Sequence, residues 1–173
     1  ILSAQTTDVA VNNVTEELFN KYPTPKDIAE ADLKSLEENL KSIGLYRNKA
    51  KFIKNTSQKL LDDFNGEVPQ TRKELESLPG VGRKTANVVL SVAFNQPAIA
   101  VDTHVNRISK RFKIAAEDSS FTEVEQALME KLPKDLWSIA HHRMIFFGRY
   151  QCPARKHNHQ ECIDKIEEAK KLI

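Results

Sequence analysis

The residues best equipped for chemistry sit in one stretch, Leu78-Pro79-Gly80-Val81-Gly82-Arg83-Lys84-Thr85-Ala86. Two glycines spaced two apart permit backbone angles closed to other residues. They also let a phosphate approach the main chain, where turn amides and the N-terminus of the next helix form an anion site. Short helical segments on both sides make this the physics of a helix-hairpin-helix, which grips a DNA backbone without reading bases. A plain turn between two helices is the alternative that Gly-x-Gly alone would favour. Leu-Pro in front, Lys-Thr-Ala behind and a basic surround favour the DNA reading. From Thr71 to Ala115 there are eight basic and three acidic residues, a net +5, in a chain whose formal charge is only +2. Such a local excess suggests a polyanion-binding face, with a solvated helix surface as the alternative.

Lys84 opens the second hairpin helix. A helix N-terminus disfavours a further positive charge, which would help lower the pKa of Lys84 if the site is also partly desolvated. A neutral amine there suits Schiff-base chemistry, although contact with phosphate or solvent is the commoner fate of such a lysine. Asp102, in Ala100-Val101-Asp102-Thr103-His104, follows an apolar run and starts a helix. It reads as an N-cap, and a capping carboxylate can also stabilise a developing cation. The spacing alone does not bring Asp102 to Lys84, and it leaves the role of His104 open.

The elements that must hold these residues are helical. The 173 residues are enough for about one domain with a true core. With 40% hydrophobic and 29% charged residues, the composition is that of a globular protein. No apolar run suits a membrane span. None of the five glycine positions makes a Rossmann fingerprint or a P-loop, and two cysteines are too few for a disulfide scaffold. The chain opens Ile-Leu-Ser-Ala-Gln without Met, which reads as a trimmed N-terminus and leaves a lost signal peptide open.

Val11, Val14, Leu18 and Phe19 follow the capping candidates Thr6, Thr7 and Asp8, and Pro23 stops the run. Thr24-Pro25 restarts a helix. Leu33, Leu36, Leu40 and Ile43 keep helical spacing up to Gly44. Further helices are expected over 47–64, from Thr71 to about Leu78, over 83–94, and from Asp102 to about Phe112. Thr122-x-x-Glu125 reads as a capping box for the next. Two more are expected over 135–147, ended by Gly148, and over 161–172. Ala98 to Val101 is strand-like but isolated. The expectation is an all-α protein of about ten helices.

In order and content these motifs resemble the endonuclease III family of the helix-hairpin-helix DNA glycosylase superfamily. The resemblance covers nearly the whole chain. It rests on Leu2-Ser3-Ala4-Gln5-Thr6-Thr7-Asp8, Ile43-Gly44-Leu45-Tyr46, Leu78 to Leu90, Ala100 to Arg107, and His141-His142 through Gly148-Arg149-Tyr150. It implies a two-lobed, all-α glycosylase fold. The implied activity is excision of oxidised pyrimidines from duplex DNA, followed by strand nicking at the resulting abasic site. Lys84 matches the family's catalytic lysine and Asp102 its catalytic aspartate. The target nucleotide flips out of the stack, and Lys84 attacks C1′ as the base leaves. Gln5 and Leu45 match positions that enter the DNA where the base was expelled. Gly80, Val81, Gly82, Arg83, Thr103 and His104 are the further DNA-binding candidates. Without the resemblance, Gln5 would read as a polar residue near a helix start and Leu45 as a core leucine.

The tail departs from the family. Most members carry four cysteines spaced C-x6-C-x2-C-x5-C that bind a [4Fe–4S] cluster. The matching positions here are Cys152, His159, Cys162 and Glu168. Such clusters normally take four thiolates, so the expectation is no cofactor and no cluster. Packing of the last helix through Ile163, Ile166 and Leu172, with Glu161–Lys165 and Glu167–Lys171 pairs, would replace it. Zinc on Cys152, His157, His159 and Cys162 is an alternative, and a Cys152–Cys162 disulfide a weaker one. His141 and His142 point in different directions on a helix, which argues against a shared metal. Trp137, Phe146 and Phe147 read as core.

The expected domains are 6–113, with the hairpin at about 71–94, and a second lobe of 1–5 and 114–173. The expected partner is damaged double-stranded DNA, with no membrane; the protein is expected to be a cytoplasmic, nucleoid-associated monomer. The competing functions are a glycosylase without lyase activity and a non-catalytic DNA-binding relative.

Overall fold

The computed structural model describes residues Ile1–Lys170, apart from the side chains of Ala169 and Lys170. Among them are ten α-helices and no strand. The helices are α1 (Asp8–Lys21), α2 (Pro25–Glu30), α3 (Leu33–Leu40), α4 (Tyr46–Phe64), α5 (Arg72–Glu76), α6 (Arg83–Val92), α7 (Thr103–Arg111), α8 (Phe121–Lys131), α9 (Trp137–Phe146) and α10 (His159–Lys170). The chain divides into two compact units, Ile1–Ala86 and Asn87–Ile173.

In the first unit, capping side chains set the helix starts. Thr7 accepts from the Ala10 amide to begin α1. Thr24 and Asp27 form a reciprocal capping box on α2, with Pro25 as its first residue. Asp32 accepts from the Ser35 amide at 3.0 Å to begin α3. Regular helix stops at Leu40, short of the expected Gly44, and Ile43 reaches the core from a turn closed by its own amide on the Leu40 carbonyl at 3.0 Å. Helix α4 packs on α2 and α3. Lys54 of α4 donates to the carbonyls of Ala29 and Ala31, meeting the exposed C-terminal end of α2 with a cation. Asn65, at φ 54°, ends α4, and the Gly66 amide returns to the Leu60 carbonyl at 2.8 Å. Leu18, Leu36, Leu40 and Ala50 are at the centre of this core.

In the second unit, the Asn87 side-chain amide donates to the Ile99 carbonyl at 2.8 Å. That bond holds the expected strand-like run, which forms no strand, as the segment leading into α7. Its core joins Ile99, Val101 and Val105 to Val124 and Leu128 of α8. The capping box of α8 is Ser120 with Glu123, not the expected Thr122 with Glu125. Starting two residues earlier turns Glu125 inward, where it is buried. The expected single helix over 135–147 is a 3₁₀ turn at Lys134–Leu136, then α9, then a π-helical turn at Phe147–Gln151. Gly148 does not end it: the Cys152 amide reaches the Phe147 carbonyl at 2.8 Å, the wider spacing of a π-turn. A β-carbon at Gly148 would lie 3.1 Å from Cγ1 of Ile108 and 3.2 Å from Cβ of His104. Its role is close packing against α7.

Trp137 packs against the core with its indole donating to the Leu132 carbonyl at 3.0 Å. Phe147 packs beside Ile108, Cys152 and Cys162. Phe146 does not meet the expectation of a core residue: it is exposed and stacks on Tyr150 with centroids 6.0 Å apart. No described helix is long and apolar enough to cross a membrane.

Candidate active site and metal-ligand cluster

The hairpin is built from α5, a tight turn and the start of α6. Thr71 caps α5 by accepting from the Glu74 amide at 3.3 Å. Leu75 and Leu78 anchor the loop in the core. From α4, the Thr56 hydroxyl donates to the Pro79 carbonyl at 2.7 Å. The two glycines then serve different ends. Gly80 has φ +75°, and a β-carbon there would lie 2.8 Å from Cγ of Phe52. Gly82 is exposed, and a β-carbon there would meet nothing within 4 Å. Gly80 is therefore required by conformation and packing, while Gly82 leaves the main chain open to an approaching anion. The Val81 amide is spent on the Leu78 carbonyl at 3.1 Å. The first-turn amides of α6 have no acceptor within their own helix.

Lys84 lies in that first turn and is exposed. The chain's own packing thus does not supply the desolvation expected around its amine. Arg83 beside it is exposed as well. Asp102 belongs to the second unit and is half-buried. It caps α7, its Oδ1 accepting from the Val105 amide at 2.8 Å. Thr103 is exposed, and His104 is half-buried with Nδ1 3.3 Å from the Arg107 guanidinium.

The backbone of Gln5 runs beside Gly44, the residue before Leu45. Gln5 has φ 53° and Leu45 φ 59°, in the left-handed region. The Gln5 carbonyl lies 3.8 Å from where a β-carbon of Gly44 would stand. Both side chains are exposed, Leu45 at 55%, so Leu45 is not a core leucine. A left-handed L-residue costs roughly 1–2 kcal/mol, and such strain tends to gather at ligand clamps.

Two of the eight central basic residues do not contribute an open basic face. Arg107 donates to the carbonyls of Gly148 at 2.6 Å and Cys152 at 3.1 Å. Arg111 donates to the carbonyls of Cys152 at 3.3 Å and Pro153 at 2.7 Å. Burial first, and then Arg111, lower the pKa of Arg107. Both belong to the net +5 stretch, but the structure commits them to organising the loop after α9.

That loop carries the largest correction. Cys152, His157, His159 and Cys162 place one ligand atom each within 4.8 Å of one another. The expectation of no cofactor and no metal is overturned by this convergence of two thiols and two imidazoles. Three of the four family cluster positions, 152, 159 and 162, contribute to it. The fourth donor is His157, while Glu168 is exposed and outside the group. Burial, and then the Cys152 sulfur, push the Cys162 thiol up to about 11. Both cysteines are free, so the disulfide alternative is not formed. The expected replacement by helix packing is incomplete. Ile163 and Ile166 are only half-buried, Lys165 donates to Gln151 at 2.6 Å, and Leu172 and Lys171 lie outside the described residues. His141 and His142 take no part in the ligand group; they meet ring edge to face at 5.0 Å.

The family model for HhH-GPD superfamily base excision DNA repair proteins matches residues 1–134. Endonuclease III of Bacillus subtilis is 58% identical over 161 residues, covering 93% of this chain and 74% of that protein. Endonuclease III of Escherichia coli K12 is 45% identical, covering 94% and 77%. A solved trapped endonuclease III–DNA covalent intermediate superposes with a TM-score of 0.86 at 60% identity, covering 90% of this chain and 73% of that one. A thermostable thymine-DNA glycosylase superposes at 0.81 with 26% identity, covering 93% and 76%. With a family model spanning its hairpin and both candidate reactive residues, and relatives matched over most of its length, this chain belongs to the HhH-GPD superfamily of base excision DNA repair proteins.

Proposed function

We propose that this protein is a base-excision-repair DNA glycosylase with AP-lyase activity, acting on duplex DNA that carries a damaged base or an abasic site. The observation that carries the reading is the exposed Lys84 in the first turn of α6, next to the open backbone at Gly82. The hairpin binds the DNA backbone through main-chain amides. A flipped nucleotide then presents C1′ of its sugar.

The neutral amine of Lys84 attacks C1′. The C1′–N bond breaks, and its electron pair leaves with the base, which takes up a proton. Opening of the sugar ring gives a protonated Schiff base. Loss of a C2′ proton expels the 3′ phosphate by β-elimination, and water then releases Lys84. Asp102 supplies a carboxylate that stabilises the cation-like sugar or helps deprotonate Lys84. DNA closing over Lys84 supplies the desolvation that the free chain lacks. Gln5 and Leu45 fill the space left by the flipped base, an amide and an apolar wedge respectively. Gly80, Val81, Gly82 and Arg83 hold the DNA backbone, and Thr103 and His104 are further DNA-contact residues. The proposed functional lobes are 6–113, carrying the hairpin, and 1–5 with 114–173, whereas the compact units divide instead at Ala86 and Asn87, with Leu2 packed in the first core. Oxidised pyrimidines are the substrate class, and the working compartment is the cytoplasm of a bacterial cell.

Borohydride trapping tests this. A duplex with one thymine glycol is incubated with protein and reductant. A covalent adduct with the native chain, and none with Lys84→Ala, is the expected result. Alkali-labile sites without an adduct would identify a glycosylase without lyase activity. Neither product on this duplex or on an abasic one would reduce the protein to DNA binding.

A further inference from the structure

We propose that Cys152, His157, His159 and Cys162 hold one tetrahedral zinc ion, which fastens the loop after α9 to the start of α10. The donor set and the distances carry this inference independently of the reaction at Lys84. A tetrahedral ion with Zn–S near 2.3 Å and Zn–N near 2.0–2.1 Å separates sulfur from nitrogen by about 3.5 Å. Nε2 of His157 is 3.1 Å from Sγ of Cys162 and 3.5 Å from Sγ of Cys152. Nδ1 of His159 is 3.7 Å from Sγ of Cys152. These three separations approach the edges of such a tetrahedron, and all four donor atoms lie within 4.8 Å of one another.

The surroundings suit a metal. Cys152 and Cys162 are buried, at 0% and 1% exposure, so an ion there would be shielded from water on its sulfur side. Nδ1 of His157 lies 2.8 Å from the Arg155 carbonyl. A proton on that nitrogen leaves Nε2 as the lone-pair donor, the outer hydrogen bond that orients most ligating histidines. The His159 ring meets Phe112 of α7 edge to face at 5.2 Å. Arg111 of α7 lies 3.4 Å from the Cys152 sulfur, where it can donate to a thiolate. Two thiolates balance the charge of a divalent ion, and two thiolates with two imidazoles are a regular zinc set. His157 is the informative donor, because the family cluster positions do not include it.

The chain, purified without chelator under exclusion of oxygen, is analysed for zinc, iron and acid-labile sulfide. About one zinc per chain, with no sulfide, is the expected content. Cobalt(II) exchanged into the site is then read by its tetrahedral d–d and thiolate charge-transfer absorption. His157→Ala and Cys162→Ser abolish those bands, and Glu168→Gln leaves them in place. His157→Cys keeps the bands with added charge-transfer intensity, which covers the case in which His157→Ala does not fold. Stoichiometric iron with sulfide would overturn the proposal. So would dependence on Glu168 in place of His157, or a folded chain that takes up neither zinc nor cobalt.

Discussion

A β-carbon at Gly80 would stand 2.8 Å from Cγ of Phe52, at a backbone position with φ +75°. The hairpin turn is thus locked against α4 by an aromatic ring lying where a side chain would begin. Gly80→Ala meets two penalties, a left-handed alanine of roughly 1–2 kcal/mol and overpacking of about 1–3 kcal/mol. A loss of about 2 kcal/mol or more is expected in urea unfolding. Phe52→Ala in the same chain, which removes Cγ and the ring, recovers part of it, and a double-mutant cycle reads the coupling. Strictly additive effects would show that the ring does not set the turn.

Asp102 caps α7 and is also the proposed catalytic carboxylate. The two roles separate by substitution. Asn caps as well as Asp, so Asp102→Asn leaves stability nearly unchanged, whereas Asp102→Ala costs about 1 kcal/mol. Single-turnover excision falls by a similar large factor in both. Full activity in Asp102→Asn would reduce Asp102 to a cap.

Leu45 is exposed in a left-handed conformation, so little packing is lost when its side chain is removed. Leu45→Gly relieves roughly 1–2 kcal/mol of backbone strain while adding about 0.5–1 kcal/mol of unfolded-state entropy. The melting temperature is expected to hold or rise. Affinity for a duplex containing an abasic-site analogue falls. Clear destabilisation with unchanged affinity would return Leu45 to a structural role.

Lys49 is 3% exposed and donates to the Thr6 hydroxyl, and burial lowers its pKa. Between that lowered value and the unfolded value near 10.4, the unfolded chain binds more protons than the folded one. Stability from this group therefore rises with pH through that window and is lost as pH falls below it. Lys49→Met removes the dependence. Its stability relative to the parent is greatest at neutral pH and shrinks as pH approaches about 10, measured by thermal melts across that range. A parallel pH profile in both proteins would sink the argument.

Much was legible in the chain. Period-3.6 apolar spacing, capping residues and Pro positions are local signals, and they located the helices to within a few residues at most ends. The Gly80–Gly82 turn and the start of α6 at Arg83 were legible because such a turn is built from contiguous residues. The start of α8 was misplaced because two overlapping pairs, Ser120 with Glu123 and Thr122 with Glu125, offer the same local chemistry, and burial of Glu125 decides between them. The close packing of Gly148 on Ile108 and His104 left no local trace, because those residues are some forty positions away. The tail shows the same division. Four donors could be counted in the sequence, but counting thiolates against a four-cysteine pattern gave the wrong expectation. Whether donors converge depends on backbone path and ring orientation. Here Arg107 and Arg111 of α7 fix that path by binding the loop carbonyls. The sequence determined which groups are available, and the tertiary structure decided which of them meet, because contacts between distant segments leave no periodic trace.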